Sequence, residues 1–328
     1  MVLRFLKSTR IVNHFLFPFI AMGLWSVHLL SPAEYPFFEG ESRFLLFGQL
    51  YLLAGHSVMA QTALALVLLI ISGYLVQRLN VEYAFIRIRT LLPAPVFILL
   101  ASGLTGMQTL HPIYPALLFL LLAIYRLFAA FDIRKPYPVA FDSGLLLGLG
   151  SLFYLNLVTL LPATLIGLAI LSRDTNWREL VIHLIGVLLP WIFTFSYFFF
   201  FDKLDLLLQM LESCFLSRNN IILTNIPLLV YLGFVALLTL AGSFLIIRQY
   251  DEKKVSSRKY FVVLFLLFAC SLLSLVLVPA VSREMLLVSA VPVTFLLCNY
   301  LVFLKSRFWS ELIFLLLAGL VIYMQFAG

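Results

Sequence analysis

The stretch VAFDSGLLLGLGSLFYLNLVTLLPATLIGLAIL, Val139 to Leu171, decides how the rest of the chain is threaded. A bilayer core of about 30 Å takes roughly 20 helical residues to cross, so this run is long for one passage and short for two. Asn156 and Pro162 are its main internal punctuation. Basic residues flank it on both sides: Arg134 and Lys135 before, Arg173 and Arg178 after. A single crossing would put those flanks on opposite faces and reverse every later loop. An out-and-back pair, 139–155 and 157–172, keeps them together.

Working outward, apolar runs between polar breaks predict further spans at 12–31, 57–77, 91–108, 112–131, 179–201, 225–247, 260–281, 285–304 and 308–326. The expectation is an all-α, polytopic transmembrane bundle of about eleven helices, or ten if 139–172 crosses once. It forms a single transmembrane domain over residues 1–328 with no separate soluble domain. With the N-terminus in the cytoplasm, eighteen of the 22 Lys and Arg fall on that side. Arg43, Lys203, Arg218 and Arg283 are left on the other. This is the asymmetry expected when basic loops stay inside, and it predicts a multi-pass membrane protein with its N-terminus in the cytoplasm.

Composition agrees. Of the 328 residues 63% are hydrophobic and 11% charged, where a soluble domain carries about 25% charged residues, and the mean hydropathy is +1.09. A soluble enzyme, a disordered chain and a nucleic-acid-binding module all need polar or charged surface facing water, so all three are excluded. The net charge of +7 is spread between apolar runs rather than gathered into a basic face. Three widely spaced cysteines support neither a disulfide framework nor a metal knuckle. Arg4, Lys7 and Arg10 resemble a signal-peptide leader, but about 20 apolar residues follow and Pro32 sits in the would-be cleavage site, so the segment reads as a retained first helix.

Two outward-facing segments exceed a turn. The first carries Glu34, Glu39, Glu41 and Arg43 and runs into Phe44–Gly55, an interfacial helix by its spacing. The second, Asp202–Thr224, sets a leucine repeat against Asp205, Gln209 and Glu212 and also lies flat on the bilayer. The glutamates are candidate general bases or a hydrated acidic loop. His28, His56 and His111 map to the same face without ligand spacing and read mostly as wetted side chains. Asp142 lies one turn inside its span, where a buried charge costs about 2.5 to 3.5 kcal/mol, and pairing with Arg134 or Lys135 is the simplest relief. Arg283 keeps a guanidinium on the outer face against the charge trend. It is placed to grip an anionic headgroup bidentately, or to pair with Glu284 inside its own turn. Gly144, Gly148 and Gly150 read as close helix packing.

The order of segments resembles GT-C type glycosyltransferases that use polyprenyl-phosphate-linked sugars. The likeness rests on the acidic first loop from Glu34-Tyr35 to Arg43, His111-Pro112 through Phe131, Phe141-Asp-Ser-Gly-Leu-Leu-Leu-Gly with Leu161-Pro162 downstream, and Arg283-Glu-Met-Leu-Leu-Val-Ser-Ala-Val-Pro. The chain departs from that pattern with glutamates where an aspartate is usual in the first loop, with Tyr154 or Leu155 where a lysine is often found, and without a large soluble domain after the last helix. A closer resemblance is to an uncharacterised inner-membrane family of Bacteroidota, through Phe141-Asp142-Ser143-Gly144 and Trp177-Arg178-Glu179.

The GT-C resemblance implies transfer from a lipid-linked sugar at the outer face. Glu34, then Glu39 and Glu41, would act as base, and Arg283, with Arg43, would neutralise the lipid phosphate. It requires no metal cofactor, although the carboxylates could bind a divalent ion. A non-catalytic scaffold or assembly partner is the alternative, and a transporter comes third because no charged relay crosses the span centres. The partners expected are the bilayer and a polyprenyl-phosphate-linked sugar, with no nucleic acid.

Overall fold

The computed structural model describes residues 11–37, 44–55, 57–86, 88, 90–174, 176–216, 225–249, 253–304 and 306–327. Among them are fourteen α-helices, two 3-10 helices and no strand. In chain order they are α1 (Ile11–Leu24), α2 (Ser26–Leu30), α3 (Leu45–Ala54), α4 (Val58–Tyr83), α5 (Pro93–Ser102), α6 (Ile113–Phe128), α7 (Tyr137–Ser151), α8 (Leu161–Leu171), α9 (Trp177–Phe200), α10 (Leu204–Leu216), α11 (Ile226–Arg248), α12 (Val255–Leu277), α13 (Arg283–Phe303) and α14 (Arg307–Ala327).

Six of them, α4, α9 and α11 to α14, are long and apolar enough to cross a membrane. The chain is a helical membrane protein. α13 is its central helix: 72% of its apolar window is buried, against 28% for α9 and α11, whose outer faces are left for lipid. One hydrophobic cluster, reaching from Phe17 to Met324, runs through the bundle.

Every predicted span has a helix at its place, but two are not continuous rods. The first breaks at Trp25 between α1 and α2, where the indole is fully buried and donates to the Ser102 hydroxyl at 3.1 Å. The 91–108 run supplies only the ten-residue α5, about 15 Å of helix. All of its residues are buried, so it is an inner element rather than a lipid-facing crossing.

The 139–172 run folds out and back. The Asp132 amide donates to the Leu171 carbonyl at 3.1 Å and the Arg173 amide to the Ile133 carbonyl at 3.3 Å. The end of α8 therefore returns to the level where α7 set out. A 3-10 helix, Leu155–Leu160, turns the corner.

α7 and α9 then run in the same direction along a seam of small residues. A Cβ added to Gly144 would lie 2.2 Å from the His183 carbonyl oxygen, one on Gly148 2.5 Å from that of Val187, and one on Gly186 2.5 Å from that of Phe141. Only glycine lets the two backbones come so close. His183, fully buried, locks the seam: Nδ1 meets the Ala140 carbonyl and Ser143 Oγ, each at 3.1 Å, and Nε2 meets Thr164 Oγ1 at 3.0 Å. The Thr164 hydroxyl in turn donates to the Leu161 carbonyl at 3.0 Å, which ties the ring to the start of α8. Trp191, two turns on, donates to Ser151 Oγ at 2.8 Å.

The two helices expected to lie flat, α3 and α10, cap this hairpin. Phe44, Leu155 and Cys214 share a small buried cluster, and Asn156 Nδ2 donates to the Cys214 carbonyl at 3.3 Å. Residues 217–224 of the second segment lie outside the described residues.

Candidate functional site

The site is built around an interruption. After Ser102 the chain leaves the helix, makes one 3-10 turn at Thr105–Met107 and re-enters helix after His111-Pro112. Irregular backbone inside a membrane bundle persists only where protein or a water-filled cavity satisfies its polar groups. Here side chains from several helices do so. Gln108 Nε2 and Gln325 Nε2 both donate to the Ser102 carbonyl, at 2.9 and 2.8 Å. The Tyr231 hydroxyl donates to the Leu100 carbonyl at 2.7 Å, and the Tyr114 hydroxyl donates to that of Met107. The Ile113 amide donates to His111 Nδ1 at 3.1 Å.

Against this interruption comes the start of α13. Glu284, only 2% exposed, turns its carboxylate back onto its own helix end, accepting from the Ser282 amide at 2.7 Å and from the Tyr154 hydroxyl at 3.1 Å. Arg283 points the other way and lies over Gly106. A Cβ there would stand 2.4 Å from Arg283 Nη1, so the bare glycine is what makes room for the guanidinium.

The result is a cavity of about 200 Å3 lined by His28 from α2, Glu34 from the first loop, Thr105, Gln108 and Thr109 from the interruption, and Arg283 from α13. Glu34 is exposed and Arg283 half-buried. Glu34 and Arg283 thus line one cavity despite their separation in sequence. Among the described residues, Gln108 Oε1, Thr109 Oγ1 and His28 Nδ1 of its lining meet no hydrogen-bond partner. Gln108 and Thr109 are 2% and 5% exposed. A buried polar atom left unpaired costs about 1 to 3 kcal/mol, a cost that water or a polar ligand in the cavity would remove.

The other candidates fall elsewhere. His111 is fully buried rather than wetted, and Tyr35 and Phe37 pack on its ring at centroid distances of 4.7 and 6.2 Å. With Nδ1 taken by the Ile113 amide, it orders the wall behind the cavity. Asp142 sits at the opposite end of the bundle and is paired with Arg126 at 3.1 Å, not with Arg134 or Lys135. α6 and α7 are antiparallel neighbours, which brings Arg126 level with Asp142, while Arg134 pairs with Asp174 at 3.5 Å. Glu39, Glu41, Arg43 and His56 lie outside the described residues. No group of three or more His, Cys, Asp or Glu side chains gathers among the described residues.

Sequence reasoning missed Gly106, Gln108 and Thr109, and it named Tyr154 and Glu284 without the hydrogen bond that joins them. A signal was present, since Gly103, Thr105, Gly106, Gln108 and Thr109 crowd neutral polar and small residues between Pro95 and Pro112.

The chain belongs to a family of unknown function, DUF6427, whose profile matches residues 44–327. Arg283 and the whole interruption fall within the match, and Glu34 precedes it. No curated protein and no solved structure matches the chain.

Proposed function

We propose that this member of DUF6427 is a bacterial inner-membrane protein, its N-terminus in the cytoplasm, that binds a polyprenyl-phosphate-linked sugar at its outer face and transfers the sugar as GT-C enzymes do. The observation that carries this reading is the shared cavity of Glu34 and Arg283. In the proposed step the Glu34 carboxylate takes the proton of an acceptor hydroxyl and that oxygen bonds to the anomeric carbon. The bond from that carbon to the phosphate oxygen breaks, and polyprenyl phosphate departs against the Arg283 guanidinium. Gln108 and Thr109 are the natural partners for phosphate or sugar oxygens. The volume of about 200 Å3 is below the roughly 300 Å3 at which ligand pockets usually begin. It suits a phosphate and the adjoining edge of a sugar, with the prenyl chain left in the bilayer.

A second reading, a non-catalytic headgroup-binding assembly protein, draws support from Glu34 itself. The carboxylate is exposed and makes no hydrogen bond or ion pair among the described residues, whereas a general base is normally held in place.

The test uses proteoliposomes and a panel of polyprenyl-phosphate-linked sugars labelled in the sugar, with release of polyprenyl phosphate as readout. Glu34→Gln should lower turnover roughly a hundredfold or more while donor binding persists, and Arg283→Ala should lose both. Turnover retained in both variants would overturn the role assignments. Donor binding without turnover in the wild-type protein, across the panel, would support the assembly reading instead.

A further inference from the structure

At the end of the bundle opposite the Glu34–Arg283 cavity, α4, α6 and α7 enclose a groove of about 460 Å3. Its long wall is apolar, formed by Leu75, Leu122, Leu145 and Leu146, and Leu122 is exposed on it. Its polar end holds Arg78, Tyr125, Arg126 and Asp142. Arg126 and Asp142 form an ion pair at 3.1 Å whose side chains remain 50% and 37% exposed. The Arg78 guanidinium lies over the Tyr125 ring, 5.3 Å from its centroid, and meets no carboxylate among the described residues. Glu82, one turn further along α4, is exposed and joins no ion pair among them.

The groove therefore carries one more guanidinium than carboxylate. A cation held on a ring face keeps its in-plane N–H donors directed outward, and guanidinium grips phosphate bidentately. Basic pockets between membrane helices on the cytoplasmic side suit anionic lipid headgroups. We infer that this groove binds an anionic phospholipid, its phosphate against Arg78 and Arg126 and an acyl chain along the leucine wall. Asp142 competes with the phosphate for Arg126, so its removal should strengthen binding.

The experiment is native mass spectrometry of the full chain released from bilayers containing phosphatidylglycerol and phosphatidylethanolamine, counting lipids retained per protein. Wild-type protein should retain phosphatidylglycerol preferentially. Arg78→Gln should lower that preference about fivefold, and Asp142→Asn should raise it. Thermal midpoints of the variants keep loss of fold separate from loss of lipid. Equal retention of the two lipids by wild-type protein would overturn the inference. So would a fall with Asp142→Asn as large as that with Arg78→Gln, which would mark the cluster as structural. Capture of an acidic protein with no preference between the lipids would likewise overturn it.

Discussion

The seam between α7 and α9 and the mouth formed by the interruption and α13 both put polar side chains inside an apolar bundle, and they treat them in opposite ways. In the seam, both ring nitrogens of His183 are engaged and the backbones touch through glycine. In the mouth, the helix is opened, its carbonyls are satisfied from neighbouring helices, and Gln108, Thr109 and His28 still keep atoms that meet no partner among the described residues. The first arrangement is complete by itself and serves packing. The second is incomplete by itself and faces a cavity with a guanidinium on its wall. Glycine plays both parts: Gly144 admits a backbone, Gly106 a charged side chain.

If that contrast is real, substitutions in the two regions must separate stability from binding. The largest effect belongs to Gly144→Leu, which drives a branched side chain into the His183 carbonyl and should prevent assembly of the bundle, read as loss of monodisperse protein in detergent. Gly144→Ala should cost about 1 to 3 kcal/mol by the same clash. Gly106→Ala should do the reverse. It displaces the Arg283 guanidinium without changing charge, so donor binding should fall at least tenfold, as for a lost charge-assisted hydrogen bond, while the thermal midpoint hardly moves. Should Gly106→Ala destabilise the protein as much as Gly144→Ala, the distinction between the regions fails. His183→Ala, which strips the seam of its polar lock, should cost about 1 to 3 kcal/mol in unfolding with donor binding intact. Trp25→Phe removes one hydrogen bond to Ser102 at the edge of the mouth and should cost about 1 kcal/mol. The smallest effect is that of Arg126→Gln, whose ion pair with Asp142 is largely solvated and should contribute no more than about 1 kcal/mol.

What could be read from the residues follows the same division. Hydropathy located the long helices because lipid exposure needs unbroken apolar runs, and the spacing of Gly144 and Gly148 marked the seam because small residues at helical intervals have one common use. The flanking charges favoured an out-and-back path for 139–172 over a single crossing, and the hydrogen bonds between 132–133 and 171–173 join the two ends of that run. The break after Ser102 was hidden because the serine, threonines and glycines there do not interrupt a hydropathy count as charges do. His183 went unnoticed as a lone histidine in an apolar run. Asp142 was assigned partners near in sequence, whereas an antiparallel helix supplied Arg126. Arg283 stood out on charge alone, but its companions Gly106 and Gln108 become visible only when α13 is laid against the interruption.

The central claim, that the first loop and the start of α13 share one cavity on the outer face, is tested most directly by a double-cysteine cross-link. Cys214, Cys270 and Cys298, the three cysteines of the chain, would be replaced by alanine and Glu34→Cys combined with Arg283→Cys. A short, membrane-impermeant bismaleimide would then be added to right-side-out vesicles. The account predicts an intramolecular cross-link there and none in inverted vesicles. Labelling of the two single-cysteine proteins from opposite sides, or from the same side without any cross-link in the double variant, would contradict it.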